Sequence, residues 1–197
     1  MDLWWRLLDY ARAGGWIMIP LGLASCAMWM LIVERLMAFR RFSGGDLRIQ
    51  DAVRAIRGET VNTFGHGVRA TLVREYMRIR TGDPELDRHM LRQCALKMRP
   101  GINRFLPIIA VLGSIAPLLG LLGTVIGMIA TFEVISTYGT GNAKAMANGI
   151  SIALVTTEAG LLVAIPGLLL SAGLARRASK LLRNLDEITL VLEHQIR

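Results

Sequence analysis

The chain has 197 residues, 53% of them apolar, and its 23 Lys and Arg outnumber its 15 Asp and Glu for a formal net charge of +8. That length would ordinarily make one soluble domain, yet the charges are crowded into blocks that leave three stretches nearly or wholly uncharged. A spanning helix needs about 20 predominantly apolar residues and soluble cores rarely run that long without charge. The composition therefore excludes a soluble domain and predicts an all-α integral membrane protein with three transmembrane helices.

Residues 1–15 form a short amphipathic segment in which Leu3, Trp4, Leu7, Leu8 and Ala11 share a face, and its paired tryptophans suit a membrane–water interface. The first span is predicted at 16–39. It is read as retained rather than cleaved, because Asp2 and Asp9 precede it, no basic leader does, and it runs into Glu34-Arg35 instead of a small-residue cleavage site. Cys26 in this span and Cys94 in the following loop fall in different environments, so neither a disulfide nor a metal pattern is expected.

Residues 40–104 read as a helical loop domain without strands. Asp46 is placed as the N-cap of a helix over 47–57. A second helix covers 68–80, with Val68, Leu72, Val73 and Tyr76 on one face, and Asp83-Pro84 starts a third. In that third helix Leu86, Met90, Cys94 and Met98 recur every four residues. His66, His89 and His194 are read as solvated surface residues.

The second span is predicted at 105–135, a short link at 136–144, the third span at 145–175 and a helical tail at 176–197. Arginines and lysines crowd 35–48, 88–104 and 176–183, whereas Arg6, Arg12 and Lys144 are the only basic residues on the opposite side. The positive-inside rule then puts the loop domain and C-terminus in the cytoplasm and the N-terminus in the periplasm. The charge is interleaved with acids beside the spans, which speaks against a nucleic-acid partner. The tail carries Leu174, Ala178, Leu181, Leu185, Ile188 and Leu192 at heptad-like spacing. Its seam needs either another copy of the chain or the protein's own loop domain.

The second span presents Gly113, Pro117, Gly120, Gly123, Thr124, Gly127 and Thr131, and the third Gly149, Ala153, Thr156, Gly160, Ala164 and Gly167. Matching small faces let two helix backbones approach closely in a membrane. Pro117 and Pro166 are expected to kink their helices, with neighbours satisfying the freed carbonyls. Thr124, Thr156 and Thr157 either bond the carbonyl one turn earlier or line a polar pathway. Glu158 opposes insertion by roughly 2.5–3.5 kcal/mol, while the eleven Leu, Ile and Val of 150–170 favour it by about 3–7 kcal/mol together. The helix inserts regardless. An intramembrane carboxylate marks an ion route or packs between helices, and both roles stay open here.

PLLGLLGTVIGMIATF at 117–132, followed by NGISIALVTTEAGLLVAIPGLL at 148–169, resembles the ExbB/TolQ/MotA proton-channel family, most closely its ExbB branch. The resemblance implies a homopentamer around the single-span helices of an ExbD-like partner, whose aspartate carries the proton. Proton flow would then drive a TonB-like protein at the outer membrane. Thr124 and Thr157 match the family's two pore threonines. Many ExbB and TolQ members also carry a glutamate at the position of Ile152, and here the acid is Glu158 instead. Six residues turn a helix by about 240°, so that glutamate's role does not transfer.

The expected function is a stator subunit of an inner-membrane motor that couples the proton motive force to TonB-dependent transport. Its site is Thr124, Thr156, Thr157 and Glu158, with Gly120, Gly123, Gly127, Gly160, Pro117 and Pro166 packing the helices. The alternatives are a Tol-type motor subunit and a non-conducting scaffold. No phosphate loop or catalytic constellation is present, so neither enzymatic chemistry nor a cofactor is expected.

Overall fold

The computed structural model describes residues 14–57, 59, 65 and 67–196. The predicted interfacial segment at 1–15 falls almost wholly outside them, as does His66. The described residues are nearly all helical and contain no strand. A 3₁₀ turn at Gly15–Ile17 leads into α1 (Met18–Ser43); then come α2 (Ile49–Ile56), α3 (Val68–Ile79), α4 (Pro84–Asn103), α5 (Leu106–Tyr138) and α6 (Ala143–Gln195). Three helical stretches, Gly15–Phe42, Pro84–Gly141 and Ala143–Gln195, each contain a segment long and apolar enough to cross a membrane. In the second of these the apolar segment is α5, since α4 is studded with charge.

The chain divides into two compact units. The first comprises the described part of Met1–Ile32 together with Pro107–Ala172. Ile17 of the 3₁₀ turn and Leu21, Met28 and Ile32 of α1 are buried, and Leu21 packs with Ala116, Ala159 and Ala164. Leu118, Leu121, Val125, Phe132, Leu154, Leu162 and Leu169 are left exposed. A surface so apolar suits lipid or other helices, not water.

The second unit comprises Val33–Leu106 and Gly173–Arg197. Val68, Leu72, Val73 and Tyr76 are all fully buried on one face of α3, as their spacing predicts. In α4 the buried residues are Asp87, Leu91, Cys94, Ala95 and Ile102, while Leu86 is 45% exposed. The expected stripe through Leu86 and Met90 is thus displaced. Strict four-residue spacing drifts by about 40° per step on a helix of 3.6 residues per turn, and steps of three and four together hold one face. Asp83 caps α4 by accepting from the Glu85 N–H at 3.0 Å, with Pro84 at the first helical position. Asp46 does not cap α2, whose N-cap is Arg48. Its carboxylate accepts instead from the N–H of Leu47 (3.1 Å) and of Arg69 (3.0 Å), tying the approach to α2 to the start of α3.

The tail seam closes within the chain. Leu174, Ala178, Leu185, Ile188 and Leu192 are buried. On either side of them Arg69 meets Glu187 (3.3 Å), Arg92 meets Glu193 (2.5 Å) and Arg99 meets Asp186 (2.6 Å). Of the two partners left open by the heptad spacing, the loop domain is the one observed.

Between α4 and α5 the chain breaks at Phe105, which holds φ at 62°. That left-handed region is an outlier for a bulky residue and costs on the order of 1–3 kcal/mol unless neighbours enforce it. Two guanidiniums lie over its ring, Arg35 at 5.4 Å and Arg104 at 4.6 Å from the centroid. Arg35 is buried, donates to the Gly101 carbonyl at 3.0 Å near the end of α4, and pairs with Glu34. One side chain thus satisfies a helix-end carbonyl and steadies the strained residue.

Candidate functional site

The second and third apolar helices meet through residues without bulk. A Cβ on Gly120 would lie 3.0 Å from the Thr156 carbonyl oxygen and 3.4 Å from Gly160 Cα. One on Gly160 would lie 2.9 Å from the Ala116 carbonyl oxygen. One on Gly127 would lie 2.6 Å from the Gly149 carbonyl oxygen and 2.7 Å from the Ala153 nitrogen, and one on Gly123 would overlap the Thr156 side chain. Three successive turns of backbone are therefore in near contact, the arrangement that small-residue faces permit. α5 runs through Pro117 and α6 through Pro166 without interruption.

Each threonine hydroxyl is satisfied by its own helix. Thr124 Oγ1 donates to the Leu121 carbonyl at 2.7 Å, and Thr157 Oγ1 to the Ala153 carbonyl at 3.1 Å. Thr156 Oγ1 reaches the Ile152 carbonyl at 2.8 Å and the Ala153 carbonyl at 3.1 Å. The burials differ. Thr156 has no exposed surface and fills the space opposite Gly123, whereas Thr124 and Thr157 are half-buried at the chain surface. A hydroxyl that already donates to a carbonyl keeps its lone pairs and can still accept a hydrogen bond from another group.

Glu158 projects from the exposed face of α6, away from the packed seam that holds its neighbours Thr156, Ala159 and Gly160. It has no ion-pair or hydrogen-bond partner among the described residues. Within one chain, the threonines and Glu158 therefore do not converge on a single cavity. A further contact joins a different pair of helices: a Cβ on Gly167 would overlap the Met28 side chain, so α1 packs onto α6 at that glycine. Gly167 stood on the small face, but nothing in the pattern pointed to α1 as its neighbour. Ala116, whose carbonyl abuts Gly160, was missed because alanine is unremarked in an apolar span.

Helical spans, a glycine-lined pair and hydroxyls set at the pair's edge define an all-helical integral membrane protein built for close helix association. The chain belongs to the MotA/TolQ/ExbB proton channel family, whose model matches residues 61–187. It is 40% identical over 102 residues to the biopolymer transport protein exbB1 of Vibrio cholerae, covering 49% of this chain and 45% of that one. Over 176 residues it is 33% identical to the putative biopolymer transport protein ExbB-like 1 of Synechocystis, covering 83% of this chain and 68% of the relative. The biopolymer transport protein ExbB of Aquifex aeolicus is 40% identical over 87 residues, covering 44% of this chain and 59% of that one. The matches to the Vibrio and Aquifex proteins thus span only about half of those relatives, and the similarity supports the ExbB branch.

Proposed function

We propose that this chain is the proton-channel and stator subunit of an ExbB–ExbD-type motor in the bacterial inner membrane. It would couple the proton motive force to TonB-dependent transport across the outer membrane. The observation that carries the reading is the split among the hydroxyls: Thr156 is locked in the seam, while Thr124 and Thr157 stand half-buried beside it, on a helix pair too tightly packed to part easily. A homopentamer would turn five such edges toward a central pore. A single-span partner with an intramembrane aspartate would occupy that pore and exchange its proton beside Thr124 and Thr157. The exposed apolar surface suits lipid and a neighbouring subunit alike, because lipid tails are as apolar as the side chains themselves.

In this reading the loop domain at 40–104 and the tail at 176–197 are cytoplasmic, the N-terminus and the 136–144 link are periplasmic, and no enzymatic step is involved. Glu158 faces a neighbouring subunit or the pore, since an intramembrane carboxylate avoids lipid. The test is the mass of the complex purified from membranes with the neighbouring-gene product co-expressed, followed by proton flux into vesicles. Five copies with one or two of a single-span, aspartate-bearing partner, and flux abolished by Thr157→Val, would uphold the proposal. A monomer or dimer without such a partner would leave a non-conducting scaffold, and a partner of the Tol type would redirect the motor to that system.

A further inference from the structure

The second unit pairs several of its cations across segments, yet in one recess the charge is positive only. Arg69, Arg80, Arg92 and Arg99 each meet a carboxylate of another segment. No acid occurs in 35–45 or in 173–185. Where these two segments face each other, Phe39, Arg40, Arg177, Lys180, Leu181 and Asn184 line a concavity of about 420 Å³. Arg40, Arg177 and Lys180 are exposed, and none has a carboxylate partner among the described residues. Phe39 is buried at 3% exposure and forms an apolar floor with Leu181.

The four residues from α6 fall at steps of three, four and seven from Arg177, which puts them on one helix face. The recess also has a definite depth. Phe39 ends the first apolar stretch, and Arg177 lies two residues beyond the third, about 3 Å along a helix. In the proposed topology both therefore lie at the level of the headgroup layer.

We infer that this recess binds the phosphodiester headgroup of an anionic phospholipid. Guanidiniums donate to phosphate oxygens in pairs and an ammonium adds a compact charge. Asn184 supplies an amide for a headgroup hydroxyl, and Phe39 with Leu181 contacts the first methylenes of the chains. A basic pocket beside membrane helices suits such a lipid, and the volume lies within the range of small-molecule sites. A general topology signal needs only basic residues near a span. It does not need three of them, from two helices, to converge on an apolar floor.

The full chain, purified with its accompanying subunits, is equilibrated with mixed micelles holding equal phosphatidylglycerol and phosphatidylethanolamine, then delipidated stepwise and weighed by mass spectrometry. The wild type retains phosphatidylglycerol selectively. Arg177→Gln with Lys180→Gln lowers that selectivity by roughly thirtyfold, and Arg40→Gln on the other helix by roughly fivefold, from the attraction of each basic side chain to an anionic surface. Arg78→Gln with Lys97→Gln, exposed elsewhere on the loop domain, changes nothing. Equal retention of both lipids by the wild type overturns the inference, as does an equal loss in the Arg78/Lys97 variant. Displacement by excess inorganic phosphate would mean a site for the free anion. A changed number of chains in the double variant would mean a surface between copies. Either result also overturns it.

Discussion

Gly127→Ala tests the closest point of the helix pair. Its new Cβ would sit 2.6 Å from the Gly149 carbonyl oxygen and 2.7 Å from the Ala153 nitrogen, both backbone atoms that cannot rotate away. Ordinary contact begins near 3.4 Å, so α5 and α6 must part locally by about 0.8 Å. A gap of 0.5–1 Å already forfeits roughly a quarter to a half of each dispersion contact along the seam, and overpacking costs about 1–3 kcal/mol. Alanine also favours a helix over glycine by about 1 kcal/mol, which would mask part of that loss. Gly22→Ala in α1 serves as the reference, since nothing lies within 4 Å of its Cβ and the propensity gain is the same. Unfolding of both variants in mixed micelles, followed by tryptophan fluorescence, should place Gly127→Ala below Gly22→Ala by about 1–3 kcal/mol. A difference under about 0.5 kcal/mol, the size of an ordinary surface substitution, would refute the close packing.

Three further outcomes are expected. Burial opposes ionisation of Asp87, but donors at Thr81 N–H (2.8 Å), Thr81 Oγ1 (3.0 Å) and Gly82 N–H (3.2 Å) outweigh it and hold its carboxyl below the usual 3.8. A depressed pKa stabilises the fold above the unfolded value and loses that stability as pH falls through the folded one. Melting of the loop domain should therefore drop below pH 3.8 in the wild type, and Asp87→Asn should cost about 1.5–3 kcal/mol at pH 7 and flatten that dependence. Burial, then the charge of Glu75, pushes the Cys94 thiol up, so maleimide should label Cys94 slowly at pH 7 and rapidly after denaturation; fast labelling of the folded protein would contradict its buried placement. Glu158→Leu should leave membrane insertion intact, because it removes an opposing term of roughly 2.5–3.5 kcal/mol, while lowering complex yield or proton flux. Wild-type behaviour in both assays would make the residue incidental.

Much of this molecule is legible without coordinates because a membrane simplifies the rules. Uncharged runs at 16–33 and 105–132 must be helical where water cannot satisfy the backbone, and Asp83-Pro84 starts α4 through chemistry confined to one turn. The small faces of 113–131 and 149–167 also announced a close helix pair, since only residues without bulk allow it. Pairings between distant segments were not legible. Asp46 had the right chemistry for a cap, but its carboxylate bonds Arg69 across the loop domain. The stripe of α4 depends on which of two adjacent faces meets a neighbour, and the tail seam fitted a second copy as well as its own loop domain until Arg69, Arg92 and Arg99 were seen to clasp it. Thr156 and Thr157 are neighbours in sequence, yet tertiary packing buries Thr156 against Gly123 and leaves Thr157, with Thr124, at the surface. Local chemistry and the bilayer determined what each segment is; which of its sides is covered depends on atoms dozens of residues away, and only the packed structure decides that.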